Sequence, residues 1–349
     1  MTEALTAGTV TIDPFGVDIS VNPEERLLDA ILRAGRYVPF GCNHGGCGTC
    51  AVPVVSGRVE QDPATLTTLD SRSRDEGQVL LCSSYLRSAV ATVDISETGI
   101  TETEFAGTDQ VDTIVAVAEV RVLTPDLTLL RLQPPVNWNP VAGQFIQVEV
   151  PNHTGWRSYS VASTGAAAAL DLLIRRVPDG AFSDALPSLA PGDPLRIRGP
   201  YGTFTVRTSH RRKVFVGGGA GIGPIRPMIV ETLLGRDRLP VDLVHTGRTL
   251  ADLAFHDEFI RLADEFDEFT YHPVVTADLV RSVRGGRAAI DAIDALGIGA
   301  ELRRTEAYVC GPDSFVDVVS AHLLDSGLRE RYLAADRFTA SGGPVDPSR

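Results

Sequence analysis

Cys42-Asn43-His44-Gly45-Gly46-Cys47-Gly48-Thr49-Cys50, followed much later by Cys82, is the stretch from which the rest of the chain can be read. Three thiols on one short loop in C-x4-C-x2-C spacing, with a fourth at a distance, match the ligand pattern of a plant-type 2Fe–2S cluster. Three thiolates converge only if the loop wraps tightly. Gly41, Gly45, Gly46 and Gly48 are expected to supply that freedom through positive φ and to bring backbone N–H groups near the sulfurs. A four-cysteine structural zinc site is the competing reading, but such sites draw their ligands as two separate close pairs, whereas here three share one loop. Cys42, Cys47, Cys50 and Cys82 are the metal-ligand candidates, and His44 is expected at the surface because four thiolates already complete a set.

The remaining composition narrows the function classes. At 349 residues the chain has room for two or three domains of about 150 residues each. A hydrophobic content of 43% with 22% charged residues is that of a folded chain and not of a disordered one. The net charge of −13 argues against nucleic acid or an anionic membrane as partner. The opening MTEALTAGTV lacks a basic segment followed by an apolar one, and nowhere do about 18 apolar residues run together, so neither a secretory signal nor a membrane span is expected. Few, clustered cysteines fit a cytoplasmic metal-binding chain better than a disulfide framework. Acidity is concentrated around the cysteines: residues 1–110 hold 16 acids against 7 bases, the remainder 29 against 25.

Working outward, residues 1–100 read as a small α+β unit, with strands at Val10–Ile12, Val17–Ile19, Ala51–Val55 and Ala89–Ile95. A helix is expected to open at Asn22-Pro23-Glu24-Glu25 and to stop at Gly35. The polar run SETGITETEFAGTDQ, residues 96–110, reads as a linker, placed at residues 101–112 between the first two domains. Residues 113–210 carry short β-rich runs broken by Pro and Gly, the pattern of an antiparallel barrel or sandwich. Residues 211–333 alternate strand with helix, which implies an α/β unit on a parallel sheet. Residues 334–349 are set apart as a tail.

Two further constellations carry chemistry. Arg157-Ser158-Tyr159-Ser160 is weak alone but gains weight from Ile174-Arg175-Arg176, the turn Gly180-Ala181-Phe182-Ser183 and Gly199-Pro200-Tyr201-Gly202. Guanidinium forks match diphosphate oxygens, a tyrosine face can cover a flavin ring, and a turn opening a helix offers N–H groups to phosphate. Downstream, Val214-Phe215-Val216 runs into Gly217-Gly218-Gly219-Ala220-Gly221-Ile222-Gly223-Pro224. A strand, a glycine turn and a helix with proline in its first turn together place free N–H groups against a diphosphate. Lys213 is the only lysine, so a Walker loop is excluded. The strict G-x-G-x-x-G spacing also fails, and the next strand ends in Gly247-Arg248 without the ribose-binding acid of that fingerprint. A third strand ends Tyr308-Val309-Cys310-Gly311-Pro312.

Together these segments resemble the ferredoxin–NADP reductase superfamily, and the order iron–sulfur, flavin, nicotinamide resembles the reductase components of bacterial multicomponent oxygenases. GCNHGGCGTC, DEGQVLLC and Asp336-Arg337-Phe338-Thr339 look most like reductases of phenol-hydroxylase-type diiron monooxygenases, with Asp336 standing where glutamate is usual. The resemblance implies an α+β ferredoxin (β-grasp) domain, an antiparallel β-barrel flavin domain and an α/β parallel-sheet nucleotide-binding domain, carrying a 2Fe–2S cluster and FAD and using NADH. It implies that Arg157 holds pyrophosphate, Tyr159 stacks on flavin, Ser160 approaches N5, and Ser158, Ile174, Arg175, Arg176, Gly180, Phe182 and Ser183 complete the flavin site. Gly218, Gly219, Ala220, Gly221, Ile222, Gly223, Pro224, Gly247, Arg248, Gly311 and Pro312 are implied to hold the nicotinamide coenzyme. Cys310 would lie beside its ring, with Phe338 as an aromatic lid over the flavin or, equally, a packed terminal aromatic. Arg248 is compatible with NADPH, but NADH-using relatives carry an arginine there too. The implied activity is an NADH-dependent oxidoreductase passing electrons to a hydroxylase component in aromatic hydrocarbon catabolism, docked transiently through the acidic iron–sulfur block. A Rieske ring-hydroxylating dioxygenase as partner and a non-catalytic iron–sulfur redox sensor are the alternatives.

Overall fold

The computed structural model describes residues 7–107, 110–152, 155–165, 167–235, 238–276 and 285–338. It divides into two compact units, one ending at Val111 and the other Asp112–Phe338. The early part of the first unit is β1 (Gly8–Asp13), β2 (Val17–Val21), α1 (Leu27–Arg33), β3 (Ala51–Ser56) and β4 (Val59–Gln61). Then come α2 (Ser71–Asp75), β5 (Gln78–Leu80), β6 (Ser84–Leu86), β7 (Val90–Asp94) and α3 (Glu102–Phe105). Alternate residues of the β1–β2 hairpin, Val10, Ile12, Ile19 and Val21, are buried, as the period of two demands. The sheet runs β2-β1-β7-β3-β5 with β1 and β7 parallel, β4 and β6 form a second ladder, and α1 buries Leu27, Leu28, Ala30, Ile31 and Leu32. This is a β-grasp ferredoxin fold.

Two local expectations give way here. The helix starts at Leu27, not at Asn22, because Glu24 turns left-handed at φ 57° and the Glu25 carboxylate is drawn back to the Asn22 N–H (2.9 Å) and to Arg33 (2.7 Å). The polar stretch read as a linker is pinned at Phe105. A Thr101/Glu104 capping box opens α3, and Phe105 stacks on Phe15 at 4.5 Å while its carbonyl accepts the Tyr37 N–H at 3.0 Å.

The second unit starts with β8 (Val111–Val122), β9 (Leu127–Leu132), β10 (Phe145–Glu149), β11 (Trp156–Ser160), β12 (Leu170–Arg175), α4 (Ala181–Ala185) and β13 (Pro194–Tyr201). The order β11-β10-β13-β8-β9-β12 is brought nearly full circle by an antiparallel bridge between Val161 and Leu172, giving a six-stranded barrel. Then follow β14 (Arg212–Gly218), α5 (Ile222–Leu234), β15 (Val241–Gly247), α6 (His256–Glu265) and β16 (Phe269–Val275). α7 (Gly285–Ala295), β17 (Thr305–Pro312), α8 (Asp313–Asp325) and β18 (Leu333–Phe338) complete the unit. Their sheet, β16-β15-β14-β17-β18, is parallel throughout, and its central strands are continuous apolar runs because both faces are covered. Residues 334–338 are therefore not tail: as β18 they pair with β17, Phe338 opposite Pro312. Residues 339–349, the rest of that tail with Thr339, lie outside the described residues.

Barrel and parallel sheet share one core. Leu127, Ala142, Ala162 and Leu173 of the barrel pack with Phe215, Ile222, Ile225, Met228 and Cys310 of the nucleotide-binding part. Among the described residues no helix is long and apolar enough to cross a membrane.

Candidate functional site

The four clustered cysteines come together in the first unit as two pairs. Cys42 and Cys47 are hydrogen-bonded thiol to thiol, and so are Cys50 and Cys82. The bond from Cys47 draws the Cys42 thiol down to about 6, and its counterpart, with burial, drives Cys47 up. N–H groups are aimed at the sulfurs: Gly46 donates to Cys42 Sγ at 3.3 Å, Cys42 to Cys47 Sγ at 3.5 Å, with further donors from His44, Gly45 and Cys82. Two thiol pairs wrapped in backbone donors fit a binuclear cluster, each pair serving one iron.

The loop achieves this somewhat differently from expectation. Gly45 and Gly48 take positive φ (83° and 78°) but Gly41 and Gly46 do not, and the third left-handed residue is Asn43 at 56°. A Cβ on Gly45 would collide with the Thr65 side chain, so the segment Pro63–Thr68 presses directly on the loop. His44 is half-buried and its backbone donates to Cys42. Sequence reasoning missed Arg26. Its Nη1 donates at 3.1 Å to both the Asn43 and Cys82 carbonyls, tying the cysteine loop to the remote fourth ligand, while Asp29 holds its Nε at 2.6 Å. Nothing local in the sequence marks it, because the groups it joins are distant along the chain.

In the second unit, β11 presents Arg157, Ser158, Tyr159 and Ser160, all half-buried, on an end strand of the barrel sheet. Tyr159 packs at 5.2 Å on Phe182 from the first turn of α4, and burial keeps its phenol neutral by raising its pKa well above the ordinary value. Ser183 knits the turn together: its hydroxyl accepts the Val177 N–H (3.0 Å) and donates to the Arg175 carbonyl (3.4 Å). No side chain caps α4 at Gly180, and Arg175 and Arg176 are exposed nearby. These groups suit a flavin diphosphate. Ile174 does not join them; its side chain is in the barrel core at 1% exposure, and Phe182 serves mainly as packing beneath Tyr159.

The glycine loop behaves as its spacing suggests. β14 ends at Gly218, Gly219 turns at φ 57°, and α5 opens at Ile222 with no side-chain cap and Pro224 in its first turn. Gly221 is obligatory, since a Cβ there would overlap the Cys310 carbonyl. Gly223 sits against Leu173 of β12, so the first turn of α5 rests on the flavin barrel. Cys310, Gly311 and Pro312 end β17 beside this loop. Cys310 is completely buried, and burial raises its pKa, with the Asp336 charge adding to the effect, so it is a neutral thiol and not a nucleophile. Phe338 packs on the core that contains Cys310, Ala220 and Ile222. Gly247 ends β15, and Arg248 beyond it is ion-paired to Asp126 (2.7 Å) and Asp252 (3.3 Å). Sequence reasoning also missed Arg226 of α5, whose Nη1 donates to the Ala162 carbonyl at 2.6 Å while Glu258 grips its Nε at 2.8 Å. It fixes the dinucleotide helix to the chain just beyond the flavin strand.

Comparison with known proteins bears on this geometry. Residues 10–87 match the 2Fe-2S iron-sulfur cluster binding domain, 115–206 the oxidoreductase FAD-binding domain and 215–321 the oxidoreductase NAD-binding domain. The phenol hydroxylase P5 protein of Acinetobacter pittii is 34% identical over 349 residues, 97% of each chain. The chain belongs to the reductase components of multicomponent oxygenases. The propane 2-monooxygenase reductase component of a Gordonia species is 30% identical, covering 95% of the reductase described here and 97% of that protein. The crystal structure of an Amycolatopsis cytochrome P450 reductase superposes with a TM-score of 0.81 at 28% identity, covering 96% of this chain and all of that one. The reductase is thus an NAD(P)H-dependent oxidoreductase with 2Fe–2S, FAD and NADH as its cofactors.

Proposed function

We propose that this reductase feeds electrons from NADH to the hydroxylase component of a phenol-hydroxylase-type diiron monooxygenase. The observation that carries the proposal is the full-length relationship to a phenol hydroxylase component at 34% identity. Bound FAD would supply the conversion between the electron pair that NADH delivers as hydride and the single electrons that a 2Fe–2S cluster held by the four cysteines would carry. In this reading Cys42 and Cys47 hold one iron and Cys50 and Cys82 the other. Arg157, Arg175, Arg176 and the Gly180–Ser183 turn bind the flavin diphosphate, Tyr159 covers the ring and Ser160 reaches toward N5. Gly218–Pro224 and Gly311–Pro312 seat the coenzyme diphosphate and nicotinamide. The buried Cys310 and the half-buried Phe338 wall the hydride path and exclude water.

The domains in this reading are a cluster domain ending at Val111, a flavin barrel from Asp112 to about residue 210 and a nucleotide-binding domain that runs on through β18 to Phe338, and the place of work is the cytoplasm. Partner docking is transient and electrostatic, through the acidic iron–sulfur block with its 16 acids against 7 bases. One relative, the anthranilate 1,2-dioxygenase electron transfer component of Acinetobacter baylyi, 27% identical over 327 residues, favours a Rieske dioxygenase as the second reading.

Reconstitution decides between them. The full chain with NADH is mixed with a diiron phenol hydroxylase or with a Rieske oxygenase, and product is measured per NADH consumed. Coupled turnover with the diiron enzyme alone supports the proposal; coupling only with the Rieske enzyme overturns it. Cys47→Ser is expected to abolish cytochrome c reduction while NADH–ferricyanide activity persists, and equal loss of both would contradict the division of roles.

A further inference from the structure

The strand order places Arg248 at a position with a defined chemical neighbour. β14, β15 and β16 are the first three strands of the parallel sheet in sequence and lie in the order β16-β15-β14. In sheets of this kind the residue just past the carboxyl end of the second strand faces the adenosine ribose of the coenzyme, and an arginine there suits a 2′-phosphate. Arg248 occupies that position, and two carboxylates already pair with its Nη2.

Asp126 is the unexpected one, because it comes from the flavin barrel. It sits in the turn between β8 and β9 and is presented rigidly: its N–H donates to Thr124 Oγ1 at 3.3 Å and its carbonyl accepts the Arg176 N–H at 2.8 Å. Its side chain meets Arg248 Nη2 at 2.7 Å. Asp252 has a second task, accepting the Thr249 N–H and hydroxyl in a capping box, so it is fixed whether or not Arg248 is present.

We infer that Asp126, reaching across from the barrel to Arg248, is a specificity-determining residue that selects NADH against NADPH. This rests on the reductase reading above. A 2′-phosphate carries about −1.5 to −2 charges, so at Arg248 it would compete with Asp126 for the guanidinium and lie beside that carboxylate. The 2′-hydroxyl of NADH makes no such demand. An exposed ion pair contributes little to folding, so the pair's value lies in what it denies to the phosphate.

The test uses the full FAD- and iron-loaded chain. Asp126→Asn keeps the shape and removes one charge, and is expected to raise the ratio of kcat/KM for NADPH to that for NADH by about tenfold or more, chiefly through KM for NADPH. Adding Arg248→Ala to Asp126→Asn is expected to cancel the gain. Binding of 2′,5′-ADP relative to 5′-ADP, measured calorimetrically, should tighten in the same variant and needs no turnover. If the ratio and the relative 2′,5′-ADP affinity stay within about twofold of the parent, or if the gain survives loss of Arg248, the inference fails. Should the parent oxidise neither nucleotide, the reductase reading fails by itself, and the 2′,5′-ADP arm still judges Asp126.

Discussion

Lys213→Met tests how the nucleotide-binding sheet is held together at the end opposite the coenzyme. Lys213 is the second residue of β14 and lies directly across from Glu306 of β17, the two central strands whose other ends carry Gly217 and Cys310. Its ammonium is 2.9 Å from Glu306 and 3.2 Å from the Ser209 hydroxyl, and Glu306 also accepts the Tyr308 hydroxyl at 3.1 Å. The two charged side chains are only 7% and 2% exposed. Methionine preserves the stem but leaves a carboxylate buried without its cation, which costs about 3–5 kcal/mol. For a unit of 150–250 residues each kcal/mol moves the melting temperature by about 2–4 °C, so a fall of about 6–20 °C is expected. Differential scanning calorimetry of the loaded chain reads this directly. The double variant Lys213→Met/Glu306→Gln removes both charges while keeping an acceptor for Tyr308, and should recover most of the loss. A single variant melting within about 2 °C of the parent would refute the view that this pair clamps the sheet.

Three further outcomes follow from the same structure. Burial holds the His245 imidazole down at about 3, so the unfolded chain binds a proton that the folded one refuses. Stability is then complete above about pH 6.5 and falls by about 1.4 kcal/mol per pH unit below it, about 2 kcal/mol by pH 5. Denaturant melts across that range should show a flatter profile for His245→Gln, and identical slopes would count against the assignment. Arg26→Gln severs the tie between the Asn43 and Cys82 carbonyls and removes a cation near the thiolates. Lower iron content and a more negative midpoint potential by EPR-monitored titration are expected; an unchanged potential at full iron content would show that Arg26 is mere scaffolding. Gly221→Ala drives a methyl group into the Cys310 carbonyl and should weaken NADH binding by about tenfold or more with iron and FAD retained, as read by calorimetry.

Legibility in the sequence follows the range of the interactions. Cysteine spacing and the two glycine-bearing turns are local features, and the structure builds them where the sequence puts them. Buried parallel strands such as Val214–Val216 and Val241–His245 are equally plain because both faces are covered. β18 was hidden: Leu333-Ala334-Ala335-Asp336-Arg337-Phe338 has neither alternation nor an apolar run, and only pairing to β17 makes it a strand. α7 begins on the glycine pair Gly285-Gly286 and offers no start signal. The start of α1 was misplaced because Asn22-Pro23-Glu24-Glu25 carries the residues of a helix cap, yet its acid closes a turn instead. Within the site, Ile174 was drawn in by adjacency to two arginines, although strand alternation sends its side chain to the barrel core. Arg26, Arg226 and Asp126 were beyond reach for one reason: each acts on a carbonyl or side chain far away in sequence, and only the fold brings them together.

An anaerobic NADH titration of the intact chain, followed at once by visible absorbance and EPR and preceded by metal and flavin analysis, tests the central claim most directly. The account predicts an iron pair and one FAD per chain, with NADH bleaching the flavin and raising a reduced-cluster EPR signal that Cys47→Ser lacks while its flavin still bleaches. Zinc in place of iron, no yellow chromophore, or a cluster that stays oxidised while the flavin is fully reduced would contradict it.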